Sequence, residues 1–162
     1  MLLENPLVGS SARVLVEPQV LAHLSRFRQI NNDTTEAGGI LLGYRRGEHL
    51  HVVDTTDPMV GDLRTRYSFD RRDPGHQAAA TSAWQASGGC VDYLGEWHTH
   101  PELHPKPSSL DLREWRVLGH SKADPLVLMI LGIQGSWFGI GDALRVVQIR
   151  ENRINSHIKS AP

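Results

Sequence analysis

His98 and His100 stand two residues apart, and Asp111 follows thirteen positions after His98 with Ser108 three residues before it. On a strand, residues i and i+2 project from one face, so the two imidazoles point the same way. Two neutral imidazoles and a carboxylate are a ligand set that suits zinc. Asp111 falls in the first turn of a helix and shares a stripe with Trp115 and Leu118. That stripe is the apolar, inward one, and a buried carboxylate needs a partner. Each feature also has a plainer reading. Ser108-x-x-Asp111 has the form of a helix capping box, and His98 and His100 can be packed strand histidines. His104, in the loop 101–107 with its three prolines, reads as exposed. Capping and packing must explain the features one by one, whereas one metal ion explains them together.

Glu96 shares strand parity with His98 and His100, which opens three roles: a base near the metal, a partner orienting an imidazole, or an ion pair with an arginine. Trp97 alternates to the opposite face and reads as core, as does Trp115. The loop 101–107 is stiffened by its prolines, as a wall of a cleft or as a rigid connection only.

The elements that must position these groups are legible from periodicity. "ARVLVEP" begins with a strand, followed by a helix from Pro18 through Val20, Leu21, Leu24, Phe27 and Ile30. "GGILLGYRRGEHLHVVDTTDP" reads as a hairpin turning around Arg46 and Gly47, and "RYSFD" as a short strand. A helix runs between Pro74 and the Gly88-Gly89 stop. "CVDYLGEWHTH" is a strand, Ser108 to about Gly119 a helix, and "PLVLMILGI", "SWFGIG" and "ALRVVQIR" are three more strands. The pattern predicts one α/β/α layered domain with a mixed, largely antiparallel sheet over residues 1–155, and a frayed tail at 156–162.

Bulk composition narrows the function classes. The 162 residues carry 17 basic and 18 acidic side chains, and the arginines are scattered in pairs, which argues against general nucleic-acid binding. The single cysteine, Cys90, excludes an internal disulfide framework, fits a reducing compartment and reads as a buried small apolar side chain. No signal-peptide pattern and no apolar run of about 20 residues is present. The expectation is a cytoplasmic protein with no membrane partner.

H-x-H-x7-S-x2-D, filled by His98, His100, Ser108 and Asp111, resembles the signature of the JAMM metallopeptidases, the MPN-plus branch of the JAB/MPN domain. "TTEAGGILLGY" supplies Glu36 where that family carries an upstream glutamate. The segment "GEWHTHP" with "PKPSSLD" is similar to bacterial stand-alone JAB peptidases, including those associated with ubiquitin-transfer-like proteins in antiphage operons. The resemblance implies a cytidine-deaminase-like JAB/MPN fold and one Zn2+ per chain held by His98, His100 and Asp111. It also implies Glu36 as general base and Ser108 as oxyanion donor. The implied activity is cleavage after the C-terminus of a ubiquitin-like modifier or of a protein conjugated by a ubiquitin-transfer-like system. Such a tail would bind extended, by adding a strand at a sheet edge beside the metal. Enzymes of that transfer system are the further partners implied.

"DPMVGDLRTR" is either a substrate-contacting insertion or a plain surface loop. Three other classes fit the residues less well. A non-catalytic MPN scaffold typically lacks metal-motif residues, whereas this chain has the full set. A DNA-repair-type JAB-like protein would need a basic face. A zinc nucleobase deaminase would need H-x-E and P-C-x-x-C, which are absent.

Overall fold

The computed structural model describes residues 1–150 except 8, 10 and 123; the predicted tail and the end of the predicted domain lie outside the described residues. Among the described residues ten strands and three helices are formed: β1 Leu2–Glu4, β2 Arg13–Val16, α1 Pro18–Ser25, β3 Gly38–Arg46, β4 His49–Thr55, β5 Leu63–Thr65, β6 Ser68–Asp70, α2 Gly75–Ala86, β7 Val91–Thr99, α3 Ser109–His120, β8 Leu126–Leu131, β9 Ser136–Gly141 and β10 Val146–Gln148. Eight strands make one sheet in the order β1-β2-β4-β3-β7-β8-β9-β10, and β5 and β6 form a separate two-stranded ribbon. Only β2 with β4 and β7 with β8 pair in parallel; the other pairings are antiparallel. The expected mixed, largely antiparallel sheet is therefore the one observed.

Central position explains strand composition. All six residues of β8, "LVLMIL", are buried, the continuous apolar pattern of a strand covered on both faces. One cluster, with Val20 and Leu24 of α1, gathers Leu41, Val52, Leu94, Trp97 and Met129 on one side of the sheet. A second cluster joins Trp115 of α3 to Leu128, Ile130 and Trp137 on the other. Burying side chains of this size contributes about 1.5–3 kcal/mol each.

The β3–β4 hairpin turns at Gly47, whose φ of +59° is a left-handed conformation that favours glycine. The decisive irregularity is in β7. Its register against β3 shifts where Leu41 faces Gly95 and Leu42 faces Tyr93. Gly95 takes φ +151°, and a Cβ there would lie 1.8 Å from the Val127 carbonyl oxygen, so only glycine fits. This bulge resets the alternation, putting Tyr93 on the same face as Glu96 and His98 while Trp97 points to the opposite core.

Two expectations are corrected. Helix α1 ends at Ser25 rather than continuing to Ile30, which is 70% exposed. Its last turn tightens, with Phe27 N–H on the Leu24 carbonyl, and the Ser25 hydroxyl donates back to Leu21. Phe27 still packs on Trp97 at 5.3 Å between ring centroids. Cys90 is exposed rather than buried: it lies in the turn after Gly88 and Gly89, one residue before β7 begins. Among the described residues no helix is long and apolar enough to cross a membrane.

Candidate metal centre

Strand β7 delivers His98 at its end and His100 one residue beyond it. The two are held against β3 and β8 by main-chain bonds: Thr99 N–H donates to the Ala37 carbonyl and His100 N–H to that of Leu131. The Thr99 hydroxyl, fully buried, accepts from Ala37 N–H at 2.9 Å. Asp111 arrives from the first turn of α3, aimed by a capping box. Ser108 N–H and its hydroxyl both donate to Asp111 Oδ2, at 2.6 and 2.7 Å, and Asp111 N–H donates to Ser108 Oγ at 3.2 Å. The capping box is therefore formed, and the same carboxylate faces the two imidazoles.

His98 Nε2 and His100 Nε2 are 3.0 Å apart, and each is 3.4 Å from a different oxygen of Asp111. Ligands about 2.0–2.1 Å from a tetrahedral ion stand roughly 3.3 Å from one another. The observed edges have that size, and among the described residues these three form a group able to hold a metal ion. The ring of His98 also packs against Trp115, 5.8 Å away, which itself stacks on Trp137. That apolar backing fixes the imidazole and excludes water behind it.

Charge follows the same geometry. Burial would raise the Asp111 pKa, but hydrogen bonds from His100, His98 and Ser108 hold it well below the usual carboxylate range. Burial opposes protonation of His100, yet Asp111, Glu36 and Glu102 together raise its pKa. Glu36 is only 4% exposed, and burial lifts its carboxyl to about 7, with His100 opposing. It therefore titrates near neutrality, as a group that takes up and releases protons must.

Glu36 precedes β3 and borders the same cleft as the His-His-Asp group, a cavity of about 1000 Å³ also walled by Phe69 and Leu110. The β5–β6 ribbon clamps its peptide: Glu36 N–H donates to the Thr65 carbonyl at 2.7 Å, and Arg64 Nε donates to the Glu36 carbonyl at 2.6 Å. Phe69 of β6 covers Gly38, where a Cβ would come within 2.4 Å of the ring. The ribbon is anchored beneath by Asp62, which accepts from the backbone of Met59, Arg72 and Asp73 and from His76 Nε2 at 3.0 Å. His76 Nδ1 lies 2.6 Å from the Thr56 hydroxyl, which accepts from Ile40 N–H of β3.

Of the other sequence-selected groups, Glu96 also borders the cleft but is ion-paired with Arg71, while His104 is exposed. The loop 101–107 is more than a connection. Pro101 and Glu102 border the cleft, and the Glu102 and Leu103 carbonyls anchor the turn at 132–135. "DPMVGDLRTR" supplies β5 and Arg66 of the cleft wall. Arg64, Thr65 and the Asp62–His76 pair escaped sequence reasoning, because no local spacing links residues 62–65 to positions 36 and 76.

Residues 19–145 match the family described as prokaryotic homologs of the JAB domain. A protein of Escherichia coli (strain TW11681) named CD-NTase/cGAS isopeptidase is 38% identical over 78% of this chain and 80% of its own length. A protein of Vibrio cholerae with the same name is 40% identical over 80% of this chain and 83% of its own. The probable metalloprotease y4qB of Sinorhizobium fredii is 29% identical over 63% of the chain and 66% of its own length. The solution structure of protein DSY2949 from Desulfitobacterium hafniense superposes with a TM-score of 0.61 at 20% identity, covering 83% of this chain and 88% of that one, a likeness of fold. With the H-x-H, serine and aspartate positions brought to one point on this sheet, the chain belongs to the JAB-domain family, in its prokaryotic branch.

Proposed function

We propose that this protein is a zinc-dependent isopeptidase that releases a protein conjugated through its C-terminus, with a CD-NTase as the conjugated protein. The convergence of His98, His100 and Asp111 at 3.0–3.4 Å carries the reading, and the activity in the relatives' names gives the substrate class. Two imidazoles and one carboxylate would hold zinc with one position left for substrate or water. When bound, zinc supplies Lewis acidity and brings the pKa of water toward about 7.

The chain's own groups do the rest. Glu36, with its carboxyl lifted to about 7, accepts a proton from the attacking water and passes it to the leaving amine, a service worth about 10²–10⁴-fold. Ser108 donates to the developing oxyanion, turning its hydroxyl from Asp111; a donor of that kind is worth about 10²–10³-fold. Asp111, ionised and aimed by the Ser108 cap, would complete the ligand set with the two imidazoles. Glu96 is engaged by Arg71 and is not assigned the role of base. The cleft between the β5–β6 ribbon and α3 accepts the substrate tail in extended form, where a ribbon edge offers main-chain hydrogen bonds.

The test is zinc content of the purified protein, followed by cleavage of a CD-NTase conjugate with and without a chelator. About one zinc per chain and chelator-sensitive release of the free CD-NTase are expected. Failure to bind zinc, or cleavage untouched by the chelator, would overturn the proposal.

A further inference from the structure

Both imidazoles turn Nε2 toward Asp111 and toward each other. Ligation through those nitrogens leaves Nδ1 of each ring carrying the proton. A ligating histidine almost always donates that second N–H to an oxygen, which fixes the ring and makes it a better ligand. His100 is buried, and the carboxylate that its Nδ1 faces is Glu102, whose Oε2 lies 3.8 Å away. Asp111 addresses the other nitrogen of the same ring, so the two acids do not compete.

The main chain at Glu102 is held from several directions. Its carbonyl accepts from Ile133 N–H at 2.7 Å, and the Leu103 carbonyl accepts from Gln134 and Gly135 N–H at 3.1 and 2.8 Å. Gly132 lets this turn come close, because a Cβ there would stand 2.5 Å from the Glu102 carbonyl oxygen. Arg28 clamps the turn from beyond, donating to the Gly132 and Gly135 carbonyls and, at 2.9 Å, to the Ser136 hydroxyl. The turn follows directly on β8, whose Leu131 carbonyl accepts His100 N–H. Glu102 and His100 are therefore fixed to the same strand end.

The Glu102 side chain has more freedom. It is 56% exposed, and its Oε2 accepts only a long bond, 3.3 Å, from Lys106 N–H. At 3.8 Å the contact with His100 exceeds hydrogen-bond length. A rotation that closes it by about 1 Å gives a charge-assisted N–H···O bond of ordinary length.

We infer that Glu102 is a positioning residue of the metal centre: its carboxylate accepts the Nδ1–H of His100 and locks the ring with Nε2 toward His98 and Asp111. The inference deepens the isopeptidase reading and rests on it for the zinc itself. Glu114, a second acid bordering the same cleft, faces Arg113 at 3.6 Å and pairs with neither imidazole, which makes it the matched control.

The experiment uses the full chain and needs no substrate. Zinc affinity is measured by chelator competition for the wild type, Glu102→Ala, Glu102→Gln and Glu114→Gln. In the zinc-loaded proteins, long-range ¹H–¹⁵N NMR of the histidine rings reads the Nδ1 proton of His100. Glu102→Ala should weaken the zinc Kd by about 10–100-fold, move the His100 Nδ1 proton upfield and speed its exchange with water. Glu102→Gln keeps an acceptor oxygen and the bond to Lys106 but loses the charge, and should fall between Ala and the wild type in both readings. Glu114→Gln should match the wild type. An unchanged Kd or an unchanged Nδ1 signal in Glu102→Ala would overturn the inference and confine Glu102 to bracing the loop. Equal weakening by Glu114→Gln would overturn it too, as an effect of overall charge; both results spare the isopeptidase reading. Wild-type protein that takes up no zinc would strike that reading and the inference with it.

Discussion

The Ser108 hydroxyl donates a 2.7 Å hydrogen bond to Asp111 Oδ2, the same oxygen that stands 3.4 Å from His100 Nε2. One short contact therefore begins α3 and aims the carboxylate proposed as a metal ligand. Ser108→Ala should cost about 1 kcal/mol of stability as a lost N-cap, seen as a melting temperature lower by about 2–4 °C. If Ser108 also serves the oxyanion, turnover falls by about 10²–10³-fold. A lowered melting temperature with unchanged turnover would restrict Ser108 to capping.

Glu36 predicts a pH-dependent stability of the metal-free protein. Its folded pKa of about 7 lies above the ordinary 4.5, so the folded state binds this proton more tightly than the unfolded chain does. The favourable contribution is complete below about 4.5 and is lost as pH rises through 7, a change on the order of 3 kcal/mol. Glu36→Gln, which cannot ionise, should therefore melt several degrees above the wild type at pH 8 in chelator and match it near pH 4.5. Equal melting temperatures at both pH values would contradict the burial account of Glu36.

Metal affinity should fall in acid. Asp111 and its acidic neighbours raise the His100 pKa, and only the neutral imidazole ligates. Below that pKa the zinc Kd should weaken by about one decade per pH unit for each histidine that must lose a proton. Competition titrations between pH 5 and 8 measure this, and a flat profile would exclude His100 as a ligand.

The Asp62–His76–Thr56 chain predicts a mechanical link to the cleft wall. His76 is 1% exposed and bridges the ribbon to β3. His76→Ala leaves a buried carboxylate short of one donor, at a cost of about 1–3 kcal/mol. Hydrogen exchange of β5 and β6 should accelerate more than that of β8. Uniform acceleration across the sheet would mean that His76 supports the whole core rather than the ribbon.

Much of the site was legible because its spacing is local. His98 and His100 follow strand parity, and Ser108 and Asp111 follow the first turn of a helix. The strand-helix order was legible too, since β8 is continuously apolar and the β3–β4 hairpin turns at a glycine. What periodicity could not carry were contacts across the sheet. The Arg71–Glu96 pair, the grip of Arg64 and Thr65 on Glu36, and the His76 bridge from Asp62 to Thr56 each join separate elements. The apolar spacing runs past the end of helix α1 because Phe27 stays packed on the core after the helix has ended. The apolar run after Cys90 belongs to the strand, while Cys90 itself sits in the preceding turn, which is why its exposure is not legible from its neighbours.

In the proposed mechanism Glu36 moves the proton while His98, His100 and Asp111 hold the metal. Zinc content and conjugate-cleavage rate, measured on the same preparations of Glu36→Gln and Glu96→Gln, test it most directly. About one zinc per chain is expected in both, with a rate lower by about 10²-fold or more in Glu36→Gln and a rate near the wild type in Glu96→Gln. Near-normal cleavage by zinc-loaded Glu36→Gln would contradict it.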